Sequence, residues 1–139
     1  MKRRVMLIVM FSQLTILTSC SSLSGPSTSA IQSAIGATTG GVLKLAEMSS
    51  SWRTVEIKSS SVNILRQGTY NESEKYWPVQ ATVTGSSRQE PEFYMGAKPS
   101  RNCEFSFSTE FKIKRNDYGE WVAVPPPFGV RPVQTKCQN

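Results

Sequence analysis

The chain contains no histidine, so it lacks the commonest general base and the commonest metal ligand of proteins. It also has no serine elbow, no phosphate-cradling glycine loop and no carboxylate set at metal-ligand spacing. Glu104 and Glu110 share one face of a predicted strand, but their positions on it lie about 20 Å apart, too far for an acid–base pair. These absences predict a protein that is not an enzyme and has no metal or cofactor.

Long apolar runs are equally scarce. The only one, Val5 to Leu17, is interrupted by Ser12, Gln13 and Thr15. A membrane-spanning helix needs about 20 predominantly apolar residues, so this run is short for a span, and no second run follows it. The sequence therefore predicts that no part of the chain beyond residue 20 crosses a membrane.

Residues 1–20 have instead the organisation of an export signal. Basic residues Lys2, Arg3 and Arg4 precede the apolar run, which ends in small residues before Cys20. The run Leu17-Thr18-Ser19-Cys20 resembles the lipobox of bacterial lipoproteins. The alternatives are an ordinary secretory signal that carries a cysteine, or an uncleaved membrane helix.

The lipobox resemblance implies where the protein resides. The signal peptide would be residues 1–19, and Cys20 would carry an S-diacylglycerol and an N-palmitoyl group. Two or more acyl chains hold a protein stably on a bilayer. By similarity to the enterobacterial sorting pattern, Ser21 implies the outer membrane, with the domain facing the periplasm.

The charge balance of the exported chain is mild. Loss of Lys2, Arg3 and Arg4 with the signal lowers the 16 basic residues to 13, against 10 acidic ones, a net charge of +3. The remaining basic residues are scattered, apart from the group at residues 112–115. A nucleic-acid interface needs a clustered basic face, so no nucleic-acid partner is expected.

Two cysteines remain after lipidation of the first. Cys103 and Cys137 are an even pair in an oxidising compartment, which predicts a disulfide. Closing a loop of this size stabilises a domain by roughly 3–4 kcal/mol. The competing interpretation, a redox pair, lacks Cys-x-x-Cys spacing.

Composition divides the exported chain into a tether and one domain. Residues 20–29 are rich in Ser, Thr, Gly and Pro, which predicts a flexible tether before a single domain at residues 30–139. Between Thr28 and Trp52, apolar residues recur every three or four positions, as on one face of a helix. Three glycines weaken this helix, so we expect it to fold across the domain's own sheet or to break.

After Trp52 the apolar period becomes two, which predicts strands. One or two short strands are expected between Val55 and Ile64, and another from Trp77 to Val83, closed by Gly85. Pro78 lies at the start of that strand or on a sheet edge, because proline cannot donate to a ladder.

The clearest strand runs from Cys103 to Lys114, with aromatic and polar residues alternating. A turn at residues 116–119 then returns the chain into a strand that ends at Val124. The tail beyond is punctuated by proline and is predicted to be extended and to dock through Cys137.

Together these elements predict an α+β domain: an N-terminal helix on a curved antiparallel sheet of about four strands, with one disulfide. The order is similar to the cystatin-like, nuclear-transport-factor-like arrangement of small exported proteins. Tyr76-Trp77-Pro78-Val79 and Asp117-Tyr118-Gly119-Glu120-Trp121 resemble segments of small bacterial lipoproteins with that shape.

Three aromatic residues are candidates for partner contact. Trp52 lies where the helix region meets the sheet, and Phe93 and Tyr94 lie in the proline-containing segment 86–102, predicted to be a long irregular connection. The segment's apolar residues either plug the sheet's end or form an exposed patch, and Trp52 either packs or anchors a partner.

The functional hypothesis is a non-catalytic interaction or scaffold module with an envelope protein partner, such as an accessory subunit of a secretion, conjugation or pilus apparatus. A free sheet edge near Pro78 could accept a partner strand. The alternative is a small-ligand-binding lipoprotein that uses the concave face of the sheet, lined by Phe105, Phe107, Phe111 and Trp121. An inhibitor of lytic enzymes fits the anchor and disulfide, but not the basic charge.

Overall fold

The computed structural model describes residues 24–127, 129–130 and 133–138. Over these residues the fold is α+β, with one helix against an antiparallel sheet of five strands and one disulfide. In chain order the elements are α1 (Thr28–Ala46), β1 (Trp52–Gln67), β2 (Trp77–Pro91), β3 (Arg101–Arg115), β4 (Trp121–Val124) and β5 (Gln134–Gln138). The sequence predicts the first five elements, and the fifth strand forms from the tail that was expected only to be extended.

Helix α1 is continuous despite its three glycines. The Ser27 hydroxyl caps it by accepting a hydrogen bond from the Ala30 amide, and the Glu47 amide bonds back to the Leu43 carbonyl at the other end. One buried polar group, the Thr39 hydroxyl, donates to the Ile35 carbonyl at 3.0 Å. The buried face has the spacing of an amphipathic helix and comprises Ile31, Ala34, Ile35, Thr39, Val42 and Leu43.

The segment before α1 is packed against the sheet. Pro26 is buried, and a Cβ placed on Gly25 would lie 3.2 Å from the indole Nε1 of Trp77. The folded part of the chain therefore begins before residue 30, the boundary expected from composition. Cys20, the expected lipidation site, lies outside the described residues.

The sheet has the strand order β1-β2-β3-β4, with β5 also paired to β3. The outer edge of β3 is shared, because β4 pairs with residues 112–115 and β5 with residues 102–106. All pairs are antiparallel.

Pairing of β1 with β2 extends from Trp52 opposite Pro91 to Gln67 opposite Val79. Three register shifts interrupt it. The prediction of an irregular connection over residues 86–102 is wrong at both ends of that segment, since residues 86–91 belong to β2, residues 101–102 belong to β3, and the two strands stay paired as far as Gln89 opposite Arg101. Only residues 92–100 connect the two strands. The apolar period fails there because the inward positions are the polar Ser87 and Gln89, both buried.

The core lies between α1 and one face of the sheet. Inward-facing residues of β2 and β3 alternate with outward polar ones, as predicted for β3. The core comprises Ile31, Ala34, Ile35, Val42, Leu43, Trp77, Val79, Ala81, Val83, Phe105, Phe107, Phe111, Ile113, Ala123 and Val130. Since Val130 belongs to it, the tail covers part of this face.

The two ends of the sheet carry different connections. The leader end comprises residues 24–27 and the turns at 68–76 and 116–120, and the loop end comprises residues 47–51 and 92–100. Among the described residues, no helix combines the length and the apolar composition needed to cross a membrane.

Candidate functional site

The three predicted contact residues all lie at the loop end. Trp52 begins β1 opposite Pro91, the last residue of β2 before the 92–100 connection. Trp52 is half-buried, with the Arg101 guanidinium carbon 4.1 Å from its ring centroid. Phe93 is 88% exposed and Tyr94 53% exposed. The apolar residues of this segment therefore form an exposed patch and do not plug the end of the sheet.

Two methionines extend this surface. Met95 follows Tyr94 and is 99% exposed, and Met48, just after the helix, is 70% exposed. The same atom, Arg53 Nη2, contacts the Met48 carbonyl at 3.4 Å and the Glu92 carboxylate at 2.7 Å, so the two loops are neighbours. We call Met48, Phe93, Tyr94 and Met95 the loop-end patch.

Arg53 holds the base of the patch together. Its Nη1 donates to the backbone carbonyls of Glu47 and Ser50, which follow the helix. The Glu92 amide in turn donates to the Ser51 carbonyl at 2.9 Å. The guanidinium thus satisfies carbonyls beyond the end of α1 and ties them to the start of the 92–100 connection.

A buried polar network lies beneath the patch. The Glu47 carboxylate accepts hydrogen bonds from the Thr54 amide at 2.7 Å, the Thr54 hydroxyl at 2.6 Å and the Gln89 side-chain amide at 2.7 Å. The Gln89 oxygen accepts from Arg101 Nε at 3.1 Å and Nη2 at 2.9 Å. Gln89 therefore bridges a carboxylate and a guanidinium that share no direct ion pair among the described residues.

A cavity of about 410 Å³ opens beside this network, between α1, the sheet and the tail. Leu43, Val130 and Val133 form an apolar wall, and Gln89 and Arg101 form a polar one. Such a combination can hold a small ligand with one apolar part and one anionic or hydrogen-bonding part.

A second depression, of about 540 Å³, lies on the face of the sheet away from α1. By strand parity, the side chains of Thr84, Ser86, Glu104 and Ser106 point to this face, joined by Lys136 of β5. Hydroxyl pairs cross this face, including Thr82 with Ser108 at 2.6 Å. The side chains that point to this face are polar, although Gly85 and Phe105 also line the depression.

The residues expected to line a ligand cavity on the concave face are instead packed. Phe105, Phe107 and Phe111 belong to the core, and Trp121 packs edge-on against Trp77 at a centroid distance of 5.5 Å. The space beneath the helix is therefore filled by protein side chains at these positions.

The prediction of a free sheet edge near Pro78 is wrong. Pro78 is the second residue of β2, a central strand, where it lies opposite Lys112 and accepts a hydrogen bond from the Gly68 amide. Its missing N–H is tolerated because it lies at the strand's beginning, the other position foreseen for it. The outer edge on this side of the sheet belongs to β1.

The predicted disulfide is present. Cys103 of β3 and Cys137 of β5 lie directly opposite one another, with Cα atoms 4.0 Å apart. The two cysteines are 34 residues apart in the sequence, so the disulfide closes a long loop. Cys103 is buried next to Phe105, so the bridge fastens the end of the chain beside the core.

No group of three or more metal-ligating side chains occurs within residues 24–127, 129–130 and 133–138. The shifted pKa values belong to exposed ion pairs. A hydrogen bond to Glu74 raises the pKa of Lys112, and hydrogen bonds to Glu56 and Glu90 raise that of Arg88. Both shifts favour cations that are already charged at neutral pH, so neither prepares a group for proton transfer.

We find no match to this chain among protein family models, curated proteins or solved structures.

The aromatic part of the loop-end patch was predictable from the sequence, but Met48 and the residues that hold the loops in place were not. Met48 follows the periodic apolar run of the helix and carries no signal of its own. Arg53 and Gln89 were missed because charged and amide residues on a strand ordinarily face solvent. A buried Gln in an inward position of β2 becomes recognisable only when its partner Glu47 is brought to it by the fold.

Proposed function

We propose that the protein is a lipid-anchored, non-catalytic interaction module of the bacterial cell envelope, held on the outer membrane through Cys20. The single observation that carries the interaction role is the loop-end patch. Its four side chains are all more than half exposed, although they belong to residue types that normally avoid water. An exposed apolar cluster of this kind marks a surface that another molecule covers.

The chemistry of the patch suits a protein partner. Phe, Tyr and Met are enriched in the cores of protein interfaces, and Tyr94 adds a hydroxyl that can bond at the rim. The Arg53 contacts and the buried network hold the base of the loops in place before binding, which lowers the entropic cost of association. An envelope assembly such as a secretion, conjugation or pilus apparatus is the class of partner we propose.

The cystatin-like arrangement is part of this proposal. A helix packed on one face of an antiparallel sheet agrees with it in element order. That shape hosts binding modules of many kinds, so it supports a binding function without naming the partner.

Site-specific photo-cross-linking in intact cells tests the interaction. Tyr94 in the patch and Leu65 at the other end of β1 are both 53% exposed, so they are matched probe positions. We expect a discrete envelope-protein adduct from position 94 and none from position 65. Equal adducts from both positions, or none from position 94 in an abundant lipidated protein, would contradict the patch as the partner surface.

The anchor requires a separate test. A Cys20→Ser variant removes the only atom that can receive the diacylglycerol. We expect the unaltered protein to gain the mass of three acyl chains and to fractionate with the outer membrane, and the variant to remain an unacylated precursor. An unacylated Cys20 in the unaltered protein would overturn the proposed anchor. The cross-linking result for the loop-end patch would stand whatever the state of Cys20.

The cavity of about 410 Å³ beside Gln89 and Arg101 favours one second candidate, small-ligand binding. Its apolar wall and the Arg101 guanidinium suit a small molecule with a carboxylate or phosphate group. Native mass spectrometry of protein purified from its own membrane tests this. A bound mass that is lost in an Arg101→Gln variant supports it, and an unliganded spectrum at high sensitivity counts against it.

A further inference from the structure

We propose that the leader end of the domain lies on the lipid surface, with the tip of the β3–β4 turn at the level of the phospholipid headgroups. This inference rests on the proposed lipid anchor at Cys20. It assigns the leader end a partner, the phospholipid bilayer, and makes the loop-end patch face away from it.

The first support is the length of chain between the anchor and the folded domain. Five peptide units separate Cys20 from Gly25, which span at most about 18 Å when fully extended. Gly25 lies beside Trp77, since a Cβ placed on it would be 3.2 Å from the indole Nε1, and Pro26 is buried, so the chain before α1 adds no further reach beyond Gly25. The end of the sheet that carries Trp77 must therefore stay close to the bilayer.

The second support is the direction of the β3–β4 turn. Trp77 lies opposite Ile113, and β3 continues for two more residues, to Arg115 opposite Trp121, before the turn begins. At about 3.3 Å per residue, the turn starts roughly 7 Å beyond the level of Trp77. The turn thus projects from the same end of the sheet that the short leader holds near the membrane.

The third support is the chemistry of the turn. Tyr118 at its tip is 89% exposed. Behind it, the Arg115 guanidinium carbon lies 4.5 Å from the ring centroid of half-buried Trp121. Tyrosine and tryptophan favour the membrane–water interface, where an apolar ring and a polar tip are both satisfied, and arginine can bond phosphate there.

The turn is also held in shape before any contact. The Asn116 side-chain oxygen accepts from the Tyr118 amide at 3.0 Å and the Glu120 amide at 2.9 Å. Gly119 adopts a φ of +79°, a conformation that favours glycine. Tyr118 is therefore presented by an ordered turn, so its ring meets the bilayer at little entropic cost.

The charges around the tip of the β3–β4 turn indicate how far the membrane contact depends on lipid charge. Lys114 and Arg115 are balanced locally by Asp117 and Glu120. The contact should therefore depend on the anchor and on the aromatic ring, with little dependence on anionic lipid or on salt.

The loop-end patch is remote from this contact. β3 runs twelve residues from Ile113 to Arg101, about 40 Å along the strand, before the 92–100 connection. The anchoring bilayer therefore cannot cover the patch while the leader end rests on it, which leaves the patch free for a partner on the far side.

The test uses the lipidated full-length protein in vesicles of phosphatidylethanolamine and phosphatidylglycerol. Benzoylphenylalanine replaces either Tyr118 or Phe93, which are 89% and 88% exposed, so the two probes are matched. We expect phospholipid adducts from position 118 at more than tenfold the yield from position 93. Equal yields, a higher yield from position 93, or an adduct with a second copy in place of lipid would overturn the orientation.

Two further measurements keep the causes separate. The intact mass of the protein reports acylation of Cys20, so absence of acyl chains overturns the anchor and this proposal together, whereas acylated protein without adducts at position 118 overturns only the orientation. In a second variant, ten Gly and Ser residues are inserted between Ser22 and Leu23. We expect the lipid adduct at position 118 to fall several-fold, and an unchanged yield would overturn the argument from chain length.

Discussion

Gly85 occupies a position in β2 where any side chain would collide with its neighbours. A Cβ there would lie 2.2 Å from the Ser59 carbonyl oxygen and 2.6 Å from the Phe105 ring. We expect Gly85→Ala to lower the free energy of unfolding by about 1–3 kcal/mol or more, because both neighbours must move. Urea denaturation measures this.

Gly41 of α1 is the control for that substitution, since a Cβ at this exposed position meets nothing within 4 Å. Gly41→Ala should stabilise the domain by up to about 1 kcal/mol through helix propensity. Destabilisation of similar size by both substitutions would show that the close approach at Gly85 is not the cause.

Gln89 gives a second prediction at the residue scale. It is 4% exposed, and its amide joins Glu47 to Arg101. Gln89→Ala leaves a carboxylate and a guanidinium each short of a partner, and we expect a loss of about 1–3 kcal/mol in unfolding free energy. Gln80→Ala, on the exposed face of the same strand, should stay within about 0.5 kcal/mol. Equal effects of the two in thermal denaturation would mean that the bridge contributes nothing.

At the scale of elements, β5 is the strand that most depends on a covalent bond. It has five residues, it pairs only with β3, and most of its side chains are exposed. Replacing both cysteines, Cys103→Ser with Cys137→Ser, should lower the unfolding free energy by about 3–4 kcal/mol, the value for closing a loop of this length.

Reduction of the unaltered protein provides the control for the cysteine substitutions. Its stability in the presence of excess dithiol, measured by the same denaturation, should match that of the double serine variant. A double variant as stable as the oxidised protein would show that the disulfide adds no stability and that β5 pairs with β3 without it.

The elements also show what the sequence could and could not predict. The helix and β3 were predictable because their apolar residues keep one period over most of each element, as at Phe105, Phe107, Phe111 and Ile113. The continuation of β2 beyond Gly85 was not, because its inward residues there are polar and their partners lie far away in sequence. The β5 strand was not predicted either, since only its pairing with β3 reveals it.

At the scale of the whole molecule, the core and the loop-end patch should differ in how much stability the same truncation removes. Phe111 is fully buried at the centre of the core, whereas Phe93 is 88% exposed in the loop-end patch. We expect Phe111→Ala to cost about 3–5 kcal/mol of unfolding free energy and Phe93→Ala less than about 0.5 kcal/mol.

Although Phe93→Ala should hardly change stability, we expect it to abolish partner capture. Phe93→Ala should lose the cross-linked envelope adduct at full abundance of the protein, measured by quantitative blotting. Retention of the adduct would contradict the patch, and a large loss of stability would mean that Phe93 packs within the fold.

The candidate site was predictable only in part, for a physical reason. An aromatic run between prolines shows from sequence alone that an apolar segment lies in a connection, as at Phe93 and Tyr94. Whether it packs or is exposed depends on what the fold leaves uncovered, and Met48 joins it only because Arg53 brings two loops together.

The interrupted register of β1 has a consequence for the behaviour of the protein at high concentration. An outer strand of sixteen residues would ordinarily be a template on which further molecules stack into fibrils. The three register shifts leave no uninterrupted stretch longer than Ser59–Ile64. That stretch begins with three serines, and Gln32 already occupies the Val62 carbonyl at 3.1 Å. These features disfavour strand addition along this edge, so we expect no fibril growth there when the protein is concentrated.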